Sequence, residues 1–403
     1  MHNFGILYRY ELKKLLKRKL VWVTGVIILL LSVAVVVGNL PMKYYVDGVV
    51  VDTYYNMMKT DREYARQLTG RAIDHQLLDE MQEAYRNVPW NAERYTLTEE
   101  YQIYVRPYSD IWAMVCQIMS VMEIKDALSQ EINENALYNR RMEWVEDFWS
   151  QVNLTEGEKA YWREKEQSLT KPFVFGYADG YWKLLSSGQW LSVLVILYAA
   201  ICLSDFFSKE HALRTDQAIL SSRLGKKHLY WAKIIAGISL LAVYYVLMVM
   251  VTAVAAFGLY GSDGADVMLQ ISMPIYSGTL RVGAAIFMMY ALLCLAILLT
   301  GIFVMMLSEV LHNGIAPLAI VSGGAVASTV IGGSVQHRVL TQIYSYLPSN
   351  LLNVRCGFQP LLVPFLGRYL TLWQSAPIFW LIAAGIFLVV GKRFYQRYQI
   401  GGR

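Results

Sequence analysis

Six stretches of the chain run for about 20 residues or more without Asp, Glu, Lys or Arg, the length of helix that crosses a hydrocarbon core about 30 Å thick. They are residues 20–42, 184–204, 234–262, 282–308, 312–337 and 369–391, and each reads as a transmembrane helix. Ahead of the first, "YELKKLLKRKL" puts Leu12, Leu15, Leu16 and Leu20 on one helical face with Lys13, Lys14, Lys17 and Arg18 at its flanks. Residues 1–19 therefore read as an amphipathic helix lying in the headgroup layer. The first span is long enough to cross and offers no small-x-small cleavage site, so it reads as a retained anchor and not a cleaved signal.

Between the first two spans, residues 43–183 show helical periodicity without long apolar runs. Leu68, Ala72, Leu77, Met81 and Ala84 recur near helical spacing, and the segment from Pro107 to Trp149 repeats the pattern. Pro89 marks a break, and Thr155 in "LTEGEKAYW" is placed to cap another helix. The expected fold is thus all-α and polytopic: six transmembrane helices, an N-terminal amphipathic helix, and a helical extracellular domain between the first two spans.

Charge sets the orientation. Residues 43–183 hold 16 Lys or Arg against 24 Asp or Glu, whereas the whole chain has 36 against 31. The bases concentrate in the N-terminal tail, in 205–233 and in the tail 392–403, which share one face if there are six spans. By the positive-inside rule that face is cytoplasmic, and 43–183 and 338–368 lie outside. The net charge of +5 is then a by-product of topology and gives no sign of nucleic-acid binding.

Composition agrees, with 56% hydrophobic and 17% charged residues against about 25% charged in soluble domains. No span holds an ionisable carboxylate, lysine or arginine in its body, which argues against a carrier driven by an ion gradient. Four cysteines are too few for a disulfide framework and fit no metal spacing, although Cys116 and Cys356 fall on one side and a bridge between them is conceivable. The six histidines lack paired-ligand spacing, and Ser and His never meet in a GxSxG setting. "LLSSGQW" at 184–190 has the look of a nucleotide-signature loop, yet no phosphate-cradling GxxxxGK[ST] accompanies it. No catalytic, cofactor or metal site is expected in this chain. In the fifth span, Gly324, Ser328 and Gly332 recur every four residues, giving a face for close helix packing, within the subunit or at a subunit interface or conduit wall.

The remaining puzzle is "SKEHALRTDQAILSSRLGKKHLYWAK", residues 208–233, which keeps mixed charges between two spans. Read as a helix from about Asp205 to Leu224 and ended by Gly225, it sets Leu213, Ile219 and Leu220 among Glu210, Arg214, Asp216 and Arg223. A half-apolar, half-charged helix under a membrane lies on lipid or plugs into a soluble partner, and the acids favour the partner.

The stretch from Asp205 to Gly237 resembles the first cytoplasmic loop of ABC exporter permeases of the ABC-2 type: the Phe206–Phe207 pair, Glu210, Arg214 with Thr215, Ile219 with Leu220 and Ser221, Gly225 with Lys226, and Lys233 opening the third span. Arg214 departs from the usual glycine. The resemblance implies a permease that works as a pair, homodimer or related heterodimer, and recruits a separate ATP-binding subunit, which alone carries ATP and Mg. The 205–233 loop would hold the coupling helix, with Glu210, Arg214, Thr215, Asp216, Leu220 and Arg223 as the contact. Cargo would be hydrophobic, lipid-like or peptidic. The competing readings are a membrane sensor or immunity protein using the acidic domain as receptor, and a polytopic enzyme, for which the spans lack paired polar groups.

Overall fold

The computed structural model describes residues 2–46, 48–91, 95–212, 228–331 and 337–397. Helix α1 (His2–Leu16) leads to α2 (Lys19–Val37) through Arg18, whose extended backbone (φ −77°, ψ 119°) breaks the helix and sets an angle between them. Gly38 ends α2 at φ +57°, a conformation that favours glycine. Helix α1 does not lie on the bilayer alone. It packs along the third span, with Leu15 and Glu11 buried and Leu16 and Leu20 exposed.

A hairpin follows, β1 (Lys43–Val46) antiparallel to β2 (Val49–Thr53) with an irregularity between Tyr44 and Tyr45. The segment then runs through α3 (Tyr54–Leu68), α4 (His75–Arg86), α5 (Ser109–Met119), α6 (Ile124–Leu128), α7 (Glu134–Gln151) and α8 (Glu156–Gln167). Four of these helix starts have a side-chain cap. Thr53, Asp74, Asn133 and Thr155 accept the orphan N–H groups of α3, α4, α7 and α8, and Thr155 with Glu158 forms a full capping box. The expected periodicity across 68–84 is split in two, since the chain leaves α3 after Leu68 and bridges Ala72 to Val174 before α4.

The spans are α9 (Asp179–Leu203), α11 (His228–Tyr260), α12 (Val282–Leu311) and α16 (Leu372–Arg397), joined with α2; the short α10 (Ser208–Ala212) follows α9. These five long helices have the length and apolarity to cross a membrane. Of the sixth expected span, 312–337, the described helix covers 315–331, and residues 332–336 lie outside the described residues. Helix α13 (Ile315–Ile331) spans about 26 Å at 1.5 Å per residue, and His337 already caps α14 (Arg338–Ser345). Helix α9 is central, packed by α2, α11, α12 and α13, and α16 lies on α12. Tyr198 of α9 stacks on Tyr244 of α11 at 3.6 Å, and the Tyr244 hydroxyl donates to the Gly25 carbonyl of α2 at 2.9 Å.

The last connection is more than a loop. After α14 come α15 (Val354–Gly357) and a hairpin of β3 (Val363–Phe365) and β4 (Arg368–Leu370), turned by Leu366 and Gly367, both at positive φ. Residues 349–353 press against the flank of α9: the Ser192 hydroxyl donates to the Ser349 carbonyl at 3.0 Å, and Asn353 donates to Gln189 at 2.8 Å. A Cβ on Gly188 would come within 2.9 Å of Leu352, so this approach needs glycine.

The 43–183 segment carries two cores. Leu77, Met81, Ile111, Trp112 and Ile118 bury one another among α3–α6, whereas Val145, Trp149 and Trp162 of α7 and α8 belong to the core of the bundle. Two buried ion pairs fix this second half. Arg141, fully buried, donates to Glu166 at 2.5 and 3.2 Å and to the carbonyls of Pro274 and Tyr276 at 2.7 and 3.0 Å. Glu158, also fully buried, accepts two bonds from Arg338 at 2.6 and 2.8 Å and the Leu362 N–H at 2.9 Å. The segment is thereby clamped to the connections on either side of α12–α13. All four cysteines are free, Cys116 and Cys356 included.

Breaking a buried pair leaves a charge without its partner, whereas removing both does not. Arg141→Ala is expected to lower stability by about 3–5 kcal/mol, and Arg141→Met with Glu166→Leu to recover most of that, as read from denaturant unfolding of the purified chain. Burial alone would raise the carboxyls of Glu158 and Glu166, but Arg338 and the Thr155 and Leu362 N–H groups on the first, and Arg141 and Lys171 on the second, hold both below the ordinary value of 4.5. A depressed folded value stabilises above the unfolded one. The unfolding midpoint should therefore be insensitive to these groups above about pH 5 and fall as pH drops below about 4.5, with the fall reduced in Glu166→Gln.

Candidate functional site

Helix α9 ends at Leu203, and the turn that follows carries Asp205, Phe206 and Phe207 into the bundle at the end opposite the acidic segment. The Ser308 hydroxyl of α12 accepts the N–H groups of Phe207 and Ser208 at 3.3 and 3.2 Å, so the turn is held from below. Both phenylalanines are buried and form a floor under Lys233 of α11, whose ammonium is 4.7 and 5.1 Å from their ring centres.

Lys233 is 1% exposed, and such a charge survives burial only when fully engaged. It donates to the Phe206 carbonyl at 3.1 Å and pairs with Glu210 of α10 at 2.9 Å and Glu11 of α1 at 3.5 Å. Lys14 closes the ring from the other side, 2.6 Å from Glu11 and 3.1 Å from Glu210. Two carboxylates and two ammoniums thus balance. Burial opposes the charge on Lys14, yet Glu11 and Glu210 hold its ammonium above the usual lysine value. Arg18 pairs with Asp205 at 2.5 Å and lies over the Phe206 ring.

The node reaches every span. Arg18 leads into α2, Asp205 leaves α9, Lys233 belongs to α11 and Ser308 to α12. Gly314, just before α13, approaches so closely that a Cβ there would be 2.9 Å from that of Asp205. Tyr395 of α16 meets the edge of Phe207 at 5.8 Å and Tyr230 at 5.6 Å, and the Tyr230 hydroxyl donates to the Leu388 carbonyl at 2.9 Å. Helix α10 and the start of α11 both meet at this node, and residues 213–227 lie outside the described residues.

Of the contact residues expected from sequence, Glu210 lies in the node, its side chain turned to Lys14 and Lys233. Arg214, Thr215, Asp216, Leu220 and Arg223 lie outside the described residues, as does Gly332. The small-residue face of α13 divides: Ser328 is buried, its hydroxyl 2.6 Å from that of Ser349, whereas Gly324 is exposed with nothing within 4 Å of a Cβ built there. Sequence reasoning missed the roles of Glu11, Lys14, Arg18 and Ser308. Glu11 carried a signal, being the lone acid among the first 42 residues. No cluster of three or more His, Cys, Asp or Glu able to hold a metal ion occurs among the described residues. The arrangement holds charge and geometry; it offers no nucleophile or proton relay.

Lys233→Met leaves Glu11 and Glu210 facing each other with only Lys14 between them, and is expected to cost about 3 kcal/mol or more. Glu11→Gln should cost less, because Lys233 keeps Glu210. Denaturant unfolding of both variants beside wild type checks the order.

The family model described as ABC-2 family transporter protein matches residues 6–345. No match was found among curated proteins or among solved structures.

Proposed function

The chain belongs to the ABC-2 family of transporter proteins, permease components of ABC transporters, and on that premise we propose that it is the membrane-spanning subunit of an exporter driven by a separate ATP-binding subunit. The observation that carries the reading is the node, because one balanced cluster ties the root of the 205–233 loop to the ends of all six apolar helices. In this reading a push that reaches the root of the loop, at Glu210 and Lys233, is passed to the helices together.

In this reading the basic end is cytoplasmic, both termini lie there, and the acidic segment is outside the plasma membrane, as the distribution of Lys and Arg supports. The ATP-binding subunit, holding ATP and Mg, docks on the loop through Arg214, Thr215, Asp216, Leu220 and Arg223. Glu210 acts as a positioning residue, since its carboxylate is committed to Lys14 and Lys233. A second copy of the permease packs on the exposed face of α13, where Gly323 and Gly324 have no neighbour and Ile315 and Val330 are 76% and 80% exposed. The cargo is hydrophobic, lipid-like or peptidic.

Co-purification with the ATP-binding subunit tests the docking. Asp216→Arg with Arg223→Glu should leave the unfolding midpoint unchanged and lower recovery of the ATPase at least tenfold. Lys233→Arg should keep docking and reduce ATPase activity in the complex. A chain that purifies without any ATPase, with a loop indifferent to charge reversal, would instead favour a membrane sensor.

A further inference from the structure

A cleft of about 570 Å³ opens at the acidic end, where residues 353–361 meet the bundle. That volume lies in the range of sites for small organic ligands, about 300–1,000 Å³. Its position is unusual in construction, because every connection at this end contributes a wall. Phe148 comes from α7, Ile275 from the connection between α11 and α12, and Phe358 from the stretch after α15, while Gln189 of α9 and Thr329 of α13 form its inner side.

The charges on this lining are one-sided. Among the described residues, Arg355 is the only ionisable lining group that is charged at neutral pH, and none of the lining residues is an acid. Arg141, Arg338 and Arg106 at this end are engaged by Glu166, Glu158 and Asp61, the last at 2.7 Å, and Arg368, exposed on the β3–β4 hairpin, does not line the cleft. Arg355 is exposed and makes no ion pair among the described residues. An apolar body and a rim guanidinium, whose planar fork matches carboxylate and phosphate oxygens, define a complementary ligand.

We propose that this cleft binds a single-chain amphiphile with an anionic headgroup, the alkyl chain against Phe148, Ile275 and Phe358 and the headgroup on Arg355. Because Gln189 and Thr329 belong to two spans, a ligand here touches the bundle and the clamped outer helices at once. That this ligand is also the cargo rests on the exporter reading; the binding does not.

The test uses the full chain in nanodiscs, without ATP or any partner, so its outcome is independent of the docking experiment. Binding of radiolabelled dodecanoate and dodecyl phosphate is measured by scintillation proximity, with dodecyltrimethylammonium as the cationic control. Saturable binding of the anions is expected, weakened at least fivefold by Arg355→Gln and abolished by Thr329→Trp, which fills the cleft. In a second measurement Cys356, which lines the cleft, is the sole thiol after Cys116, Cys202 and Cys294 are replaced by alanine. Dodecanoate should then slow its alkylation by N-ethylmaleimide at least fivefold, and the cation should not. Binding in phosphatidylcholine discs that disappears in phosphatidylglycerol discs identifies bilayer lipid as the source of the headgroup; binding equal in both identifies a free amphiphile. Absence of saturable binding, equal binding of the cation, or indifference to Arg355→Gln would overturn the proposal.

Discussion

Lys233 is a full positive charge with almost no access to water, at the point where a charged segment returns to an apolar helix. An ammonium in that position is tolerated only when carboxylates and carbonyls replace its hydration. Glu11, Glu210 and the Phe206 carbonyl do so, the first from the N-terminal helix and the other two from the turn and short helix that follow α9. Helix α1 is held against α11, and the turn after α9 is held against α12. Buried Leu15, the Tyr8 hydroxyl on Ser239 at 3.2 Å and the Lys14–Glu210 pair add to the hold on the N-terminal helix.

The opposite end is organised by the same rule. Arg141 and Glu158 are fully buried, and each is saturated by groups from distant connections, Pro274 and Tyr276 in one case and Arg338 and Leu362 in the other. Helices α7 and α8 therefore belong mechanically to the bundle, while α3–α6 keep a separate core. The cleft beside α9 and α13 is walled by the bundle and by these outer helices together.

Helix α13 shows how one apolar sequence serves two surroundings. Val321, Ala325 and Ser328 face the bundle, and Ser328 spends its hydroxyl on Ala325 and Ser349. Gly323, Gly324, Ile315 and Val330 face outward. At 3.6 residues per turn a four-residue spacing drifts by only about 40°, so Ser328 falls inside the buried stripe and Gly324 at its exposed edge.

The sequence by itself determined the all-α class, the apolar runs and their charged flanks, and the cap at Thr155, because periodicity, length and local hydrogen bonding are near-neighbour properties. It even pointed to Glu210 and Lys233 as part of one motif. What only the tertiary structure decided is who neutralises them. Glu11 is more than 190 residues from Glu210 along the chain, and no periodicity links the two. The same holds for Arg141 with Pro274, Glu158 with Arg338, and the insertion of Leu352 against Gly188. Buried charge and close packing are satisfied by whichever groups the fold brings together, and that choice is made in three dimensions.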